Sequence, residues 1–226
     1  MKRYLNIFPY IIAFVFLLHS VPVLGWNEVT FEASAEASPS VGGKVIIGID
    51  GIPGTPEQSA VNVSIKKDSK WSWGGYKEAS TTFYYKASAN NANYVFKGWA
   101  TDDNVNSGNT NASYSIKLTG KGNGNIFDNV KETAPKQYAI FARMTGNPTS
   151  GSEIDFGEVV GGMIYQKEIV ITHAHAGNIS ISAPKGFSVS PTTIESSASE
   201  KETTITITFD AKEIGTYKGT LEISCT

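Results

Sequence analysis

Three aromatic residues, Trp71, Trp73 and Tyr76, stand close together in the chain and carry its clearest binding chemistry. Trp71 and Trp73 are two residues apart, so on an extended strand both side chains lie on one face. An exposed row of aromatic rings can stack against sugar rings. This spacing predicts a glycan-binding site at the three residues. The competing interpretation is a hairpin whose aromatic side chains pack on their own domain.

The two histidines beyond the N-terminal segment, His173 and His175, are the candidates for metal binding. Two residues apart on an extended chain, they point to one face. A metal site needs three or four ligands, and no Cys, Asp or Glu lies within four residues of the pair. We therefore expect two exposed histidines at the end of a strand, with no metal site and no cofactor.

An oxygen-rich loop contains Asp102, Asn104 and Asn106 at alternate positions, which resembles the start of a calcium-binding loop. Such a loop needs a glycine at its sixth position and a closing glutamate. Gly108 falls one place late, and no glutamate follows where the site requires one. The sequence favours a hairpin loop without calcium.

Patterns of common catalytic sites are missing from the sequence. Nucleophilic hydrolysis needs a positioned serine or cysteine with a base, but no G-x-S-x-G motif occurs. Glycosidases need two facing carboxylates, and no acidic pair stands in a recognisable motif. The glycine-rich stretch 120–124 lacks the G-K-[ST] ending of a phosphate loop. We expect a protein that is not an enzyme.

Strand patterns dominate the elements that would position these residues. Apolar and polar residues alternate over 29–33, 61–65 and 82–87, which predicts strands with one buried face. Pairs such as Gly42-Gly43 and Gly74-Gly75 separate the runs and are expected to supply the positive φ angles of tight turns. No stretch predicts a capped amphipathic helix, and 126–134 offers one short turn at most.

Four segments follow from these patterns. Residues 1–25, with Lys2 and Arg3 before an apolar run, predict a signal peptide cleaved before Trp26, the alternative being an uncleaved membrane anchor. The polar stretch 146–152 contains Pro and Gly and predicts a linker. It separates a β domain over 26–145 from a second β domain over 153–226. In the second domain, short strands are expected at 153–156, 164–172, 178–183, 187–189, 203–209 and 216–224, which is the spacing of a β-sandwich.

Charge and cysteine content narrow the function classes further. The net charge is −2, so the chain lacks the excess of positive charge that nucleic-acid binding would favour. The single cysteine, Cys225, excludes an internal disulfide. We expect it to be a buried or incidental thiol, the alternative being an intermolecular disulfide.

Residues 26–144 resemble the divergent internalin B-repeat type of extracellular domain. The resemblance rests on 42–45 (GGKV), 83–87 (FYYKA), 94–99 (YVFKGW) and 138–142 (YAIFA), in that order. It implies a small, possibly β-grasp-like sheet domain displayed outside the cell, with Trp99 of the F-x-G-W element in the core. It implies stalk-like or adhesive use and brings no catalytic residues.

Residues 152–224 resemble the Hydin-type immunoglobulin-like domains and related sandwich modules of secreted bacterial proteins. The resemblance rests on 154–159 (IDFGEV), 186–191 (GFSVSP) and 215–224 (GTYKGTLEIS). It implies a binding or spacer module. From the alternation alone, we expect Ile205, Ile207 and Phe209 on one strand face, with Leu221 and Ile223 meeting them across the sandwich.

The sequence as a whole predicts an all-β, secreted or cell-surface bacterial protein of two domains that binds or presents rather than catalyses, in the manner of an adhesin. Its partner would be an extracellular protein or a glycan, with no nucleic acid and no membrane span after signal cleavage. Two alternatives stay open. One is a glycan-binding accessory protein that uses Trp71, Trp73 and Tyr76, and the other is the non-catalytic N-terminal part of a larger secreted enzyme.

Overall fold

The structure is a computed structural model of the chain and describes residues 27–50, 54–69, 71–72, 75–101, 109–122, 130–210 and 212–225. Three predictions fall outside these residues, namely the signal peptide over 1–25, the central tryptophan Trp73, and the oxygen-rich loop around Asn104. The described residues form strands and turns without a helix, which confirms the all-β class. Accordingly, this part of the chain contains no helix long and apolar enough to cross a membrane.

The strands alternate apolar and polar residues, as predicted. Those up to residue 147 are β1 (Asn27–Ser38), β2 (Gly43–Ile49), β3 (Ala60–Ser69), β4 (Trp71–Ser72), β5 (Gly75–Tyr76), β6 (Glu78–Ala89), β7 (Val95–Ala100), β8 (Ser113–Lys121), β9 (Val130–Thr133) and β10 (Gln137–Asn147). The later ones are β11 (Ile164–Ala174), β12 (Ile179–Ser182), β13 (Phe187–Ser190), β14 (Thr193–Ile194), β15 (Lys201–Asp210) and β16 (Glu222–Cys225).

The strands pair into mixed and antiparallel sheets. The largest has the order β13-β15-β11-β10-β1-β3, with β7 also paired to β10 and β9 to β1. Strand β1 runs parallel to both β9 and β10, whereas β10, β11 and β15 are antiparallel in succession. Smaller sheets have the orders β14-β12-β16, β2-β6-β8 and β4-β5.

The chain divides into two compact units. Among the described residues, the first comprises 27–32, those within Ser64–Thr81 and those within Lys117–Ala134, and the second comprises those within Ala33–Val63, Thr82–Ile116 and Pro135–Thr226. In the first unit, Val29 and Phe31 of β1 are fully buried beside β9. The buried hydroxyl of Ser69 donates to the Lys77 carbonyl at 2.5 Å and accepts from the Gly122 amide at 2.9 Å. This single hydroxyl therefore joins two segments of the first unit, Ser64–Thr81 and Lys117–Ala134.

Aromatic side chains fill one part of the second unit. Tyr85 of β6 stacks on Tyr114 with ring centroids 5.1 Å apart and meets Trp99 edge-on at 5.9 Å. Trp99 is buried, as predicted, and its indole nitrogen donates to the Asn111 carbonyl at 3.0 Å. The indole thus keeps a hydrogen-bond partner inside the core, as buried tryptophans usually do.

An aliphatic cluster fills another part of the second unit, between the β13-β15-β11 strands and the β14-β12-β16 sheet. Its buried members are Ile169, Ile171, Ile179, Ile181, Ile194, Ile205 and Ile207. Leu221 and Ile223 pack against this cluster, and Phe209 is also buried. The predicted inward face of β15 and its partners across the sandwich-like pair of sheets are therefore confirmed.

Several elements differ from their predicted bounds. Residues 153–156 form no strand, and the last strand spans Glu222–Cys225 instead of 216–224. Residues 130–133, predicted as part of a short turn, pair with β1 as a strand instead. The thiol of Cys225 is exposed and not buried. Gly146 and Asn147, the first residues of the predicted linker, end β10 opposite Ile171 and Val170. The domain boundaries themselves stay a prediction.

Candidate functional site

A groove of about 720 Å³ lies within the second unit. Its walls are residues 36–41 at the end of β1, Tyr138 of β10, and residues 196–200, which lead into β15. Parallel pairing with β10 fixes one wall, because Ser38 lies opposite Ile140 in the register. The volume falls in the range of 300–1,000 Å³ typical of ligand sites.

A serine and a histidine meet beside this groove. The Oγ of Ser38 lies 2.9 Å from Nε2 of His175, and the His175 amide donates to the Ser197 carbonyl at 2.7 Å. His175 has a φ of 44°, the left-handed conformation that non-glycine residues rarely adopt. Its position just after β11 therefore brings the imidazole to β1, and not along the strand beside His173.

A charged cluster also contacts the loop that forms the second wall. Arg143 Nη1 donates to Glu200 Oε2 at 2.7 Å, and the Tyr94 hydroxyl donates to the same oxygen. The guanidinium carbon lies 5.4 Å from the centroid of the Tyr94 ring. The hydrogen bond from Tyr94, followed by the one from Arg143, lowers the pKa of Glu200. Burial, together with the bond to Glu200, raises the pKa of Tyr94.

Serine is the commonest residue of the groove walls, which also contain two glutamates and several apolar residues. Ser38, Ser40, Ser196, Ser197 and Ser199 line it. A hydroxyl can both donate and accept a hydrogen bond, so this surface suits an uncharged polar ligand. A serine beside an imidazole also resembles the nucleophile and base of a serine hydrolase. Such a catalytic site further needs an acid that orients the base and hydrogen-bond donors that stabilise an oxyanion.

Trp71 and Tyr76, the described members of the predicted glycan site, lie in a two-stranded hairpin. Strand β4 pairs with β5 in a register that sets Trp71 opposite Tyr76 and Ser72 opposite Gly75. Gly75 has a φ of 110° at this turn, as predicted for the glycine pair. Both aromatic residues belong to the first unit, whereas the groove belongs to the second.

The prediction of two exposed histidines is wrong for His173. His173 is fully buried because it continues the inward-facing series Ile169, Ile171 and His173 of β11. Burial, followed by the charge of Lys201, lowers the pKa of the imidazole. No group of three His, Cys, Asp or Glu residues that could hold a metal occurs in the described part of the chain.

Sequence reasoning missed the residues that form the groove and its charged cluster. Tyr94 and Glu200 are 106 positions apart, and Ser38 and His175 are 137 positions apart. Only the serine-rich run 196–199 marks one wall in the sequence. The other contacts depend on strand pairing between distant segments, which residue spacing does not reveal.

Comparison of the chain with protein-family models, with curated proteins and with solved structures finds no match in any of the three.

Proposed function

We propose that the chain is a non-catalytic, secreted or cell-surface binding and scaffold protein of the adhesin type. The observation that carries the proposal is the groove between residues 36–41 and 196–200, which is large enough for a ligand and lined by serine hydroxyls. Two strands flank it, since β1 ends within the first wall and β15 begins directly after the second. Sites held by sheet strands keep a fixed shape, which lowers the entropy lost on binding.

The ligand that fits this lining is a polar, extended molecule, either a glycan or a segment of an extracellular protein. The hydroxyls can form several hydrogen bonds along such a ligand, and Tyr138 supplies an aromatic surface in the same groove. Arg143 and Glu200 neutralise each other beside the groove at 2.7 Å, so the pair does not select a strongly charged ligand.

Binding to a glycan array and to a panel of purified extracellular-matrix proteins tests the proposal. Ser40→Trp places a bulky ring at the groove, and we expect it to lower the affinity for the ligand at least tenfold. Ser180→Trp, at an exposed position of β12, is the matched control and should bind normally. The proposal fails if the unmodified protein binds neither panel, or if both tryptophan variants bind equally well.

A second candidate function is glycan binding through the β4–β5 hairpin. The register that sets Trp71 opposite Tyr76 supports it, because stacking sites need aromatic residues grouped at one place. A Trp71→Ala/Trp73→Ala variant on the same glycan array separates the two candidates. Loss of binding in this variant, with binding retained by Ser40→Trp, would move the site from the groove to the hairpin.

The contact between Ser38 and His175 gives a direct test of the non-catalytic assignment. A fluorophosphonate probe labels serines that an adjacent base activates. We expect no labelling of the native protein. Labelling at Ser38 that disappears in His175→Ala would contradict the assignment and would identify a hydrolase.

A further inference from the structure

Two sulfur atoms from distant strands touch at one end of the aliphatic cluster. The Sγ of Cys225, in β16, lies 3.3 Å from the Sδ of Met144, in β10. Both residues are exposed, with 42% of the Met144 surface accessible to solvent. The sulfur pair is therefore open to ions from solution, although its two members are 81 positions apart in the sequence.

A buried imidazole adjoins this sulfur pair. His173 is the register partner of Met144 across the β10–β11 ladder, and cross-strand partners project from the same face at about 4.5–5.5 Å between Cβ atoms. His173 is fully buried, and neither Nδ1 nor Nε2 has a hydrogen-bond partner. A buried polar group without a partner is unfavourable, so an ion or a water molecule at the ring would stabilise it.

A second buried polar atom, on the same face of the sheet as His173, also lacks a hydrogen-bond partner. The Oγ1 of Thr203 is buried without a partner, and Thr203 is the register partner of Ile171, two residues from His173. Two neighbouring positions with unsatisfied buried atoms are uncommon, because nearly all buried polar groups in proteins are paired. Both atoms lie on the face of the β11–β15 ladder that carries Ile171 and His173.

The side chains of Cys225, Met144 and His173 together have the chemistry of a soft-metal site. Thiolate and thioether sulfurs select Cu(I), and an imidazole nitrogen is also a ligand for copper. Oxygen-preferring cations such as Mg²⁺ and Ca²⁺ do not favour these ligands. In a three-coordinate site with metal–sulfur bonds of about 2.3 Å and angles near 120°, the two sulfurs lie roughly 4.0 Å apart. The Cys225 and Met144 sulfurs, now 3.3 Å apart, must therefore separate by about 0.7 Å.

We propose that Cys225, Met144 and His173 form a binding site for a monovalent soft metal ion, and that the bound ion is Cu(I). The sulfurs of Cys225 and Met144 contact the ion on the solvent side, and one imidazole nitrogen of His173 contacts it on the buried side. The Cys225 thiol loses its proton to the solvent when the ion binds. The site is independent of the groove and goes beyond the proposed binding and scaffold function.

An anaerobic Cu(I) titration of the purified protein against the chromophoric chelator bicinchoninate tests the site. We expect one Cu(I) per chain, with affinity lowered at least tenfold in Met144→Leu and in Cys225→Ser. Met163→Leu is the matched control, because Met163 is also an exposed methionine and should leave affinity unchanged. Both ligand variants change exposed side chains, so loss of the fold does not explain their loss of affinity.

Two further measurements make the test decisive. X-ray absorption of the loaded protein should show two sulfur ligands and one nitrogen ligand. Cu(I) should also slow alkylation of Cys225 by iodoacetamide in the native protein, and should do so much less in Met144→Leu. The proposal is overturned if the native protein does not compete with the chelator, which would leave water as the partner of His173. Equal loss of affinity in Met163→Leu, or a copper shell without sulfur, would overturn it as well.

Discussion

Gly43, the first residue of β2, packs against the ring of Phe141. This contact leaves no room for a side chain at position 43. A Cβ at Gly43 would lie 2.2 Å from Cε2 and Cζ of Phe141, which is itself fully buried. The φ of Gly43 lies outside the positive region, unlike the φ of Gly75. The predicted turn is present, because the Gly42 amide donates to the Pro39 carbonyl at 2.8 Å. The predicted positive φ is wrong for both glycines, and Gly43 is required for space instead.

Replacing Gly43 by alanine should thus destabilise the protein. The new methyl group must displace a buried ring, and overpacking of this kind costs about 1–3 kcal/mol. Urea denaturation followed by tryptophan fluorescence measures the change. Gly48→Ala in the same strand is the control, because its Cβ would meet the nearest atom, Tyr84 Cβ, at an ordinary 3.6 Å. Equal losses in the two variants would disprove the steric explanation.

Glu200 should make part of the stability depend on pH. Hydrogen bonds from Tyr94 and from Arg143 lower its pKa in the folded state, so the unfolded state binds its proton more readily. The contribution is complete above the ordinary pKa of 4.5 and is lost as the pH falls through the folded value. We expect Glu200→Gln to unfold at a lower temperature than the native protein at pH 7.

The difference in melting temperature between the native protein and Glu200→Gln should shrink steadily in acid, below about pH 4.5. Differential scanning calorimetry at several pH values measures it. Glu195→Gln, at an exposed position, is the control and should melt like the native protein at every pH. A difference that stays constant in acid would show that the carboxylate of Glu200 does not stabilise the fold through its charge.

At the scale of the strand, β15 is held by one buried face. Ile205 is fully buried in the aliphatic cluster, and the exposed Ile214 lies in the segment after the strand. Ile205→Ala should cost about 2–5 kcal/mol in unfolding free energy because it leaves a cavity. Ile214→Ala should change the unfolding free energy by less than about 0.5 kcal/mol. Chemical denaturation of both variants tests this, and similar losses would exclude the cluster as the main source of stability.

Alternation predicted which strands exist and which faces they bury, because side-chain direction on a strand has a period of two residues. It identified the inward face of β15, whereas the burial of Trp99 was expected from the F-x-G-W element of the resemblance. The same rule applied to Ile169, Ile171 and His173 would have predicted burial of His173, but the histidine was interpreted from its polarity alone. The end of β1 beside β10 could not be predicted, since a parallel pair between residues a hundred positions apart leaves no local pattern.

For the whole molecule, hydrogen exchange should reveal where the structure is most resistant to opening. Strand β11 pairs along its length with β15 and, at its end, with β10. Amides of 166–172 should therefore exchange slowest, whereas the exposed segment 158–163 should exchange fastest. Mass spectrometry of peptides after timed labelling measures both. Equal rates in the two segments would show that β11 opens locally and does not form a stable centre.

The fold class followed from composition and turn spacing, but the sites did not. Strand formers separated by glycine, asparagine and proline predicted an all-β chain. By contrast, the groove, the charged cluster with Tyr94 and the sulfur pair are each assembled from two or three distant segments. Their residues come together only after the sheets have formed, so apart from the serine-rich run 196–199 the linear pattern does not reveal them.

Strand β10 has a mechanical consequence for a protein that would act as a scaffold. Its first residues pair with β1 and β7, and its last residues pair with β11. Ladder hydrogen bonds run across the strands, so a pull directed along β10 loads many of them side by side instead of one after another. Rupture then requires the simultaneous failure of several bonds, and unfolding under tension is set by that barrier and not by equilibrium stability.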